Sequence, residues 1–352
     1  DHQGQGHEFG MTQAFSTMRR REFIALIGGA AAAWPFTARA QQPKMDRIAW
    51  VHPSAPLDNL RSSTDVRAYR AFQDELRQLG HIEGTNLTVE RYSGAGRLDL
   101  YDTLARTVVR SRPGLIFTSG VEMARGLRAA TTSIPIVAIL NDPVAAGLID
   151  SLAHPGGNIT GAAVDAGIEI WSKRLALLKE AVPQAKRVGL LSSPGYWDIA
   201  GRAGEALRAA APTLGLSVVS CPVEQAAEPD YRRAFATIQQ DGLSALLVHD
   251  QAENFTNRKL IIELTRQCKL PTIYPYREYV ELGGLMAYAV DLPDAFRHGA
   301  QYVDQVLKGA KPSDLPFYQQ TRFQFLINLK TARALNLNLT TTLVGSADEV
   351  IE

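Results

Sequence analysis

The sequence predicts an α/β protein built from two doubly wound parallel-sheet lobes. Three observations predict it. Strand and helix patterns alternate from Asp46 onward, most strand runs are apolar throughout, and the alternating pattern occurs twice in series. A wholly apolar strand is buried on both faces, as in a parallel sheet covered by helices. A chain of 352 residues also exceeds the size at which one core grows efficiently.

In the first series, Ile48–Val51 is a short apolar strand that runs into the turn-rich His52-Pro53-Ser54-Ala55-Pro56. Val66, Tyr69, Phe72, Leu76 and Leu79 then recur at three- and four-residue spacing, the stripe of an amphipathic helix stopped by Gly80. Leu87–Tyr92 reads as a strand, Leu98–Val109 as a helix, and Leu115–Phe117 as a strand. Met123–Thr131 reads as a helix, Ile136–Ile139 as a strand, and Val144–Leu152 as a helix. In the second series the helices are Ile170–Ala181, Ala200–Leu214, Tyr231–Gln240 and Asn257–Cys268. The strands are Arg187–Leu191, Ser217–Ser220, Ala245–His249, Thr272–Tyr274 and Leu285–Val290. No low-complexity linker separates the two series, and the passage Pro155-Gly156-Gly157-Asn158 is tight, its glycines serving backbone geometry.

With 45% hydrophobic and 21% charged residues and a net charge of +1, the composition points to neither nucleic acid nor an anionic membrane surface. Two cysteines, Cys221 and Cys268, cannot build a disulfide framework and fit no common zinc spacing; they read as small buried hydrophobes. The N-terminus carries a leader over residues 1–40, with a signal peptide at 18–40. Arg19-Arg20-Arg21-Glu22-Phe23-Ile24 is followed by an apolar run through Ala33 and by Ala38-Arg39-Ala40. This is a basic n-region, an h-region shorter than the roughly 20 residues of a membrane span, and an A-x-A cleavage site. The paired arginines resemble a twin-arginine export signal, with a general secretory signal as the alternative; both imply export to the periplasm. No cysteine follows the cleavage site to carry a lipid, and residues 1–10 precede a plausible start at Met11.

Open parallel sheets bind ligands beyond the carboxyl ends of their strands, where loops and helix N-termini meet. In the first series those positions hold His52 and Ser54, Ser119 and Gly120, and Asn141-Asp142-Pro143. In the second they hold Ser192-Ser193, His249-Asp250, Tyr276-Arg277-Glu278, and Tyr288 near Asp291. The candidate ligand-binding residues are therefore Ser54, Ser119, Gly120, Asp142, Ser193, Asp250, Tyr276, Arg277, Tyr288 and Asp291. Small hydroxyl residues after strands leave space and supply donors, aromatic rings stack on planar ligands, and Arg277 can clamp a carboxylate. Each has a structural alternative: Asp142 and Asp250 also fit caps, Tyr288 half-buried packing, and Arg277 an ion pair.

Several segments carry a family resemblance. They are Ser133–Val137, Asn141–Leu148 and His154–Gly161, then Pro275–Tyr279 with Gly283–Tyr288, Lys308–Pro316, and Phe323–Leu337 with Ile327-Asn328-Leu329-Lys330-Thr331-Ala332. Together they resemble the ABC-transporter substrate-binding proteins of tryptophan/tyrosine type, over essentially residues 45 to 352. The resemblance implies a type I periplasmic-binding-protein fold with three crossovers, and a hinge that closes on a small ligand. It implies an N-terminal lobe of 45–160 plus about 290–318, and a C-terminal lobe of 161–289 plus about 319–352. The expected ligand is an amino acid or aromatic carboxylate, and the expected partner an ABC permease in the inner membrane. No cofactor is expected, and a monomer suits such a shuttle. The loop Ser192–Trp197 departs from the Asn-Pro-rich turn of many relatives and brings Tyr196 and Trp197 toward the ligand region.

Two other readings remain beside this one. A periplasmic enzyme would use His52, His249, Asp142 and Asp250 at the strand ends, but no G-x-S-x-G, phosphate-loop, H-x-x-x-H or C-x-x-C spacing supports it. A ligand-sensing partner of a membrane receptor would use the same closed lobes as a transporter.

Overall fold

A computed structural model describes residues 45–62, 66–164, 167, 169–197 and 203–352. The leader, with its signal peptide and paired arginines, lies outside them, as does the start of the helix expected from Ala200.

Strands β1 (Asp46–His52), β2 (Leu87–Ser93), β3 (Leu115–Ser119), β4 (Ile136–Leu140) and β5 (Ile159–Ala163) follow one another in the first part of the chain. The second part contributes β6 (Arg187–Ser192), β7 (Ser217–Pro222), β8 (Ala245–Val248), β9 (Thr272–Tyr274) and β10 (Met286–Val290), and the last part β11 (Tyr318–Gln319), β12 (Phe323–Asn328) and β13 (Glu349–Ile351). They form two sheets, in the orders β2-β1-β3-β4-β5-β11 and β7-β6-β8-β9-β10-β12-β13. The first is parallel throughout. In the second, β12 runs antiparallel to β10, a departure from the all-parallel expectation. The physical reason is the route: after β10 the chain enters helix Leu292–Leu307, which packs on the first sheet, and returns through β11 before forming β12. The chain thus passes between the sheets three times, after β5, after β10 and between β11 and β12.

Burial follows the strand period of two. In β1, Ile48 and Trp50 face one core while Ala49 and Val51 face the other, and all four are essentially inaccessible. The first of these cores stacks Phe72 on Phe117 with ring centroids 3.9 Å apart. It continues through Val164, Phe255, Tyr276 and Leu292 into the second lobe. A separate core, with Trp171, Leu175 and Leu207, covers the other face of the second sheet.

One expected helix does not form. Of Val144–Leu152 only the first residues turn, over 143–147, where the Gly147 amide bonds the Val144 carbonyl and Gly147 adopts a φ of 67°. A left-handed residue ends a helix after one turn, which the apolar spacing did not register. The two cysteines are unpaired, Cys221 buried and Cys268 half-buried.

Candidate functional site

Each sheet reverses its winding once, between β1 and β3 in the first and between β6 and β8 in the second. At such a switch point adjacent loops diverge and leave a crevice. The loops after these strands face each other across a cleft lined from the first lobe by His52, Tyr69, Ser119, Gly120, Ile139 and Asn141. Val164, Leu292 and Phe296 complete that side, and Asp250, Ala252, Phe255 and Tyr276 supply the other. Its empty space is about 360 Å3 counting the open mouth and the solvent it includes, and most of its lining is apolar or aromatic.

Of the residues anticipated from sequence, Ser119, Gly120, Asp250 and Tyr276 line this cleft. The Ser119 hydroxyl is buried and has no hydrogen-bond partner among the described residues. Such an atom is costly to leave dry, so it is a natural place for a ligand acceptor or donor. Gly120 caps helix Val121–Ala130 with a φ of 81°, left-handed geometry that glycine adopts without strain. The Tyr276 hydroxyl donates to the Asp250 carbonyl at 2.8 Å, and its ring meets Phe255 edge-on.

The Asp250 carboxylate joins both lobes. Its Oδ1 accepts from Asn141 Nδ2 at 2.6 Å, and its Oδ2 pairs with Arg174 Nη1 at 3.3 Å. Both charged side chains are 1% exposed. Arg174 also donates through Nε to the Tyr288 carbonyl and lies over the Trp171 ring, 4.8 Å from its centroid. His249 is held between the Trp171 and Tyr196 rings.

The other anticipated residues serve different contacts. Ser54 is buried and bridges the lobes, its hydroxyl 2.8 Å from Thr256 Oγ1 and 3.2 Å from the Ala252 carbonyl. Ser193 exchanges hydrogen bonds with the Gln251 amide. Asp142 caps its own turn by accepting from the Ala145 amide. Arg277 pairs with Glu281 and Glu349 on the surface. Tyr288 stacks on Phe323, and Asp291 caps helix Leu292–Leu307 through the Asp294 amide.

Sequence reasoning missed Tyr69, Arg174 and Phe296 as site residues. Tyr69 and Phe296 look like core positions on amphipathic helices, and Arg174 like one charge on an exposed face. Only the meeting of elements far apart in sequence reveals them. His52 is fully buried, and loss of hydration pushes its imidazole down to about 3. Because the folded value lies below the usual 6.5, the unfolded chain takes up the extra proton. Stability from His52 is complete above 6.5 and is lost as pH falls toward 3, at up to about 1.4 kcal/mol per pH unit. Glu253, raised by burial, works in the opposite sense above its usual 4.5. His52→Asn should therefore flatten the acid limb of the stability curve relative to wild type; parallel limbs would contradict this account.

A family model described as ABC transporter substrate binding protein matches residues 62–351. The chain belongs to this family. Among its relatives, a tyrosine-binding protein of Clostridioides difficile strain R20291 is 23% identical over 272 residues, 77% of each chain. This substrate-binding protein also resembles the solved ABC domain from Streptococcus pneumonia in complex with L-Trp, at 23% identity and a TM-score of 0.73, covering 88% of this chain and all of that one. A conserved domain protein from Vibrio cholerae O1 matches at 24% identity and a TM-score of 0.75, covering 87% and 100%. These likenesses make the two-lobed architecture a periplasmic-binding-protein fold. Among the described residues no helix is long and apolar enough to cross a membrane, and no group of three metal-binding side chains occurs.

Proposed function

We propose that this substrate-binding protein captures an amino acid with an aromatic side chain and delivers it to an ABC permease in the inner membrane. The reading includes export to the periplasm by the leader and closure of the two lobes about their crossovers. The observation that carries it is the cleft between the lobes, where aromatic and aliphatic walls surround the Ser119 hydroxyl, which has no hydrogen-bond partner among the described residues. The tyrosine-binding relative and the L-Trp complex support the ligand class.

Closure follows from ligand contacts made by both lobes. A ligand that touches only one lobe has no differential affinity for the closed form. Contacts between the lobes support this reading: Asn141 to Asp250, Ser54 to Thr256, and the Tyr101 hydroxyl to Glu253 at 2.7 Å. Phe255, Phe296 and Tyr276 offer rings to a planar side chain, and burial of that side chain supplies most of the affinity. Ser119 and Asp250 offer a donor and an acceptor to its polar end.

The test is calorimetric titration with aromatic and aliphatic amino acids and aromatic carboxylates, together with thermal shifts. Aromatic amino acids should raise the melting temperature and be recovered unchanged. Ser119→Ala should weaken their binding about tenfold or more, since a hydrogen bond to a charged group contributes about 1.5–3 kcal/mol. The same substitution should leave the ligand-free protein as stable as before, because the hydroxyl has no partner to lose. Unchanged affinity in Ser119→Ala, or chemical turnover of a bound compound, would overturn this reading.

A further inference from the structure

The geometry points to Tyr69, aligned by His52, as the donor that selects solutes carrying a hydrogen-bond acceptor oxygen at the first-lobe end of the cleft. The inference rests on the aromatic-ligand reading above and deepens it by assigning a polar contact.

The hydrogen bonds of His52 fix where its proton sits. Its Nδ1 faces two backbone N–H groups, those of Ser54 at 3.1 Å and Ala55 at 2.8 Å. An atom that accepts from two donors carries no proton of its own. The ring is 2% exposed, and burial holds it neutral at ordinary pH. A neutral imidazole has one N–H, so that proton is on Nε2. Nε2 lies 2.7 Å from the Tyr69 hydroxyl oxygen. Here the imidazole donates and the phenol oxygen accepts.

The phenol keeps its proton as well, because burial raises its pKa. That proton cannot lie along the line to Nε2–H. No other hydrogen-bond partner of the Tyr69 hydroxyl occurs among the described residues. The ring is fixed by edge and tilted contacts with Trp50, His52 and Phe296, so the hydroxyl cannot swing away. Tyr69 and His52 both line the cleft together with Ser119. The phenol O–H is thus left to the cleft, and a ligand oxygen is the acceptor it fits. A charged acceptor such as a carboxylate gains more from it than a neutral one. Asp250, on the opposite wall, is held by Asn141 and paired with Arg174, so the hydroxyls of Tyr69 and Ser119 are the donors that this end of the cleft offers.

The test is a coupling measurement between a side chain and a ligand group. Wild type, Tyr69→Phe and His52→Asn are titrated with tryptophan, tryptamine, which lacks the carboxylate, and indole-3-propionate, which lacks the amine. His52→Asn keeps an acceptor near the Nδ1 position and removes the Nε2 donor. Tyr69→Phe should weaken the carboxylate-bearing ligands about tenfold and tryptamine by less than threefold, with His52→Asn falling between. Equal loss for all three ligands would mark Tyr69 as merely structural and overturn the inference, as would no loss for any. If wild type binds indole-3-propionate but not tryptophan, the amino-acid reading fails while the same comparison still decides the role of Tyr69. If wild type binds none of the three, both are overturned.

Discussion

Replacing Arg174 by alanine is expected to lower the stability of the protein by about 3–5 kcal/mol, the usual cost of removing one partner of a buried ion pair. Helix Glu169–Ala181 turns Trp171 and Arg174 to its buried side, and Asp250 waits at the end of β8. Both charges are out of water, so deleting the guanidinium leaves the carboxylate with Asn141 as its hydrogen-bond donor among the described residues. It also removes a bond to the Tyr288 carbonyl and the stacking on Trp171. Thermal and urea melts of Arg174→Ala measure the loss directly. The double variant Arg174→Met with Asp250→Asn should recover part of it, because removing both charges ends the desolvation cost. A loss below about 1 kcal/mol, the value of an exposed pair, would show that water reaches the site. The pair also bears on binding, since Asp250 is among the second-lobe residues that line the cleft.

Gly161→Val should yield little or no folded protein. Gly161 lies in β5 directly opposite Ala138 of β4. A Cβ at Gly161 would stand 1.8 Å from the Ala138 carbonyl oxygen and 2.7 Å from its nitrogen. These are backbone atoms inside a parallel sheet, so no side-chain rotation relieves the clash. Either β5 leaves the sheet, which breaks the edge formed by β5 and β11, or β4 is pushed out of register with β5. The strand also positions Val164 in the cleft wall and starts the first passage between the sheets. Damage here reaches binding as well as stability. Soluble yield and circular dichroism report the outcome. Even alanine, with one added carbon, should lower the melting temperature clearly, whereas Gly157→Ala, where nothing lies within 4 Å, should not. A well-folded Gly161→Val protein would mean that the two strands separate more easily than this register allows.

Most of the strand–helix order up to β10 is legible in the sequence, because apolar runs and three-to-four spacing act locally, whereas β5 and the strands after β10 carry too short or too mixed a pattern to read. The loops after β1, β3, β4, β6, β8, β9 and β10 are also legible as the place to look for a site, since winding order alone puts ligands at carboxyl ends. Ser119, Gly120, Asp250 and Tyr276 were legible for that reason. What only the tertiary structure decided is which strand-end residues face the cleft. Ser54 and Asp250 occupy equivalent loop positions and both bridge the lobes, yet Asp250 lines the cavity and Ser54 does not. Asp142 fits a cap and a ligand contact equally well until the Ala145 amide claims it. Arg174, Tyr69 and Phe296 sit in helices whose periodicity marks them only as one face or another. Their roles depend on contacts across 76 positions for Arg174 with Asp250, and on packing that brings Phe296 against Tyr69. The antiparallel turn of β12 has the same cause: a strand's direction depends on where the intervening chain has been. Periodicity records which side of an element is apolar, whereas a binding site is made by which sides meet.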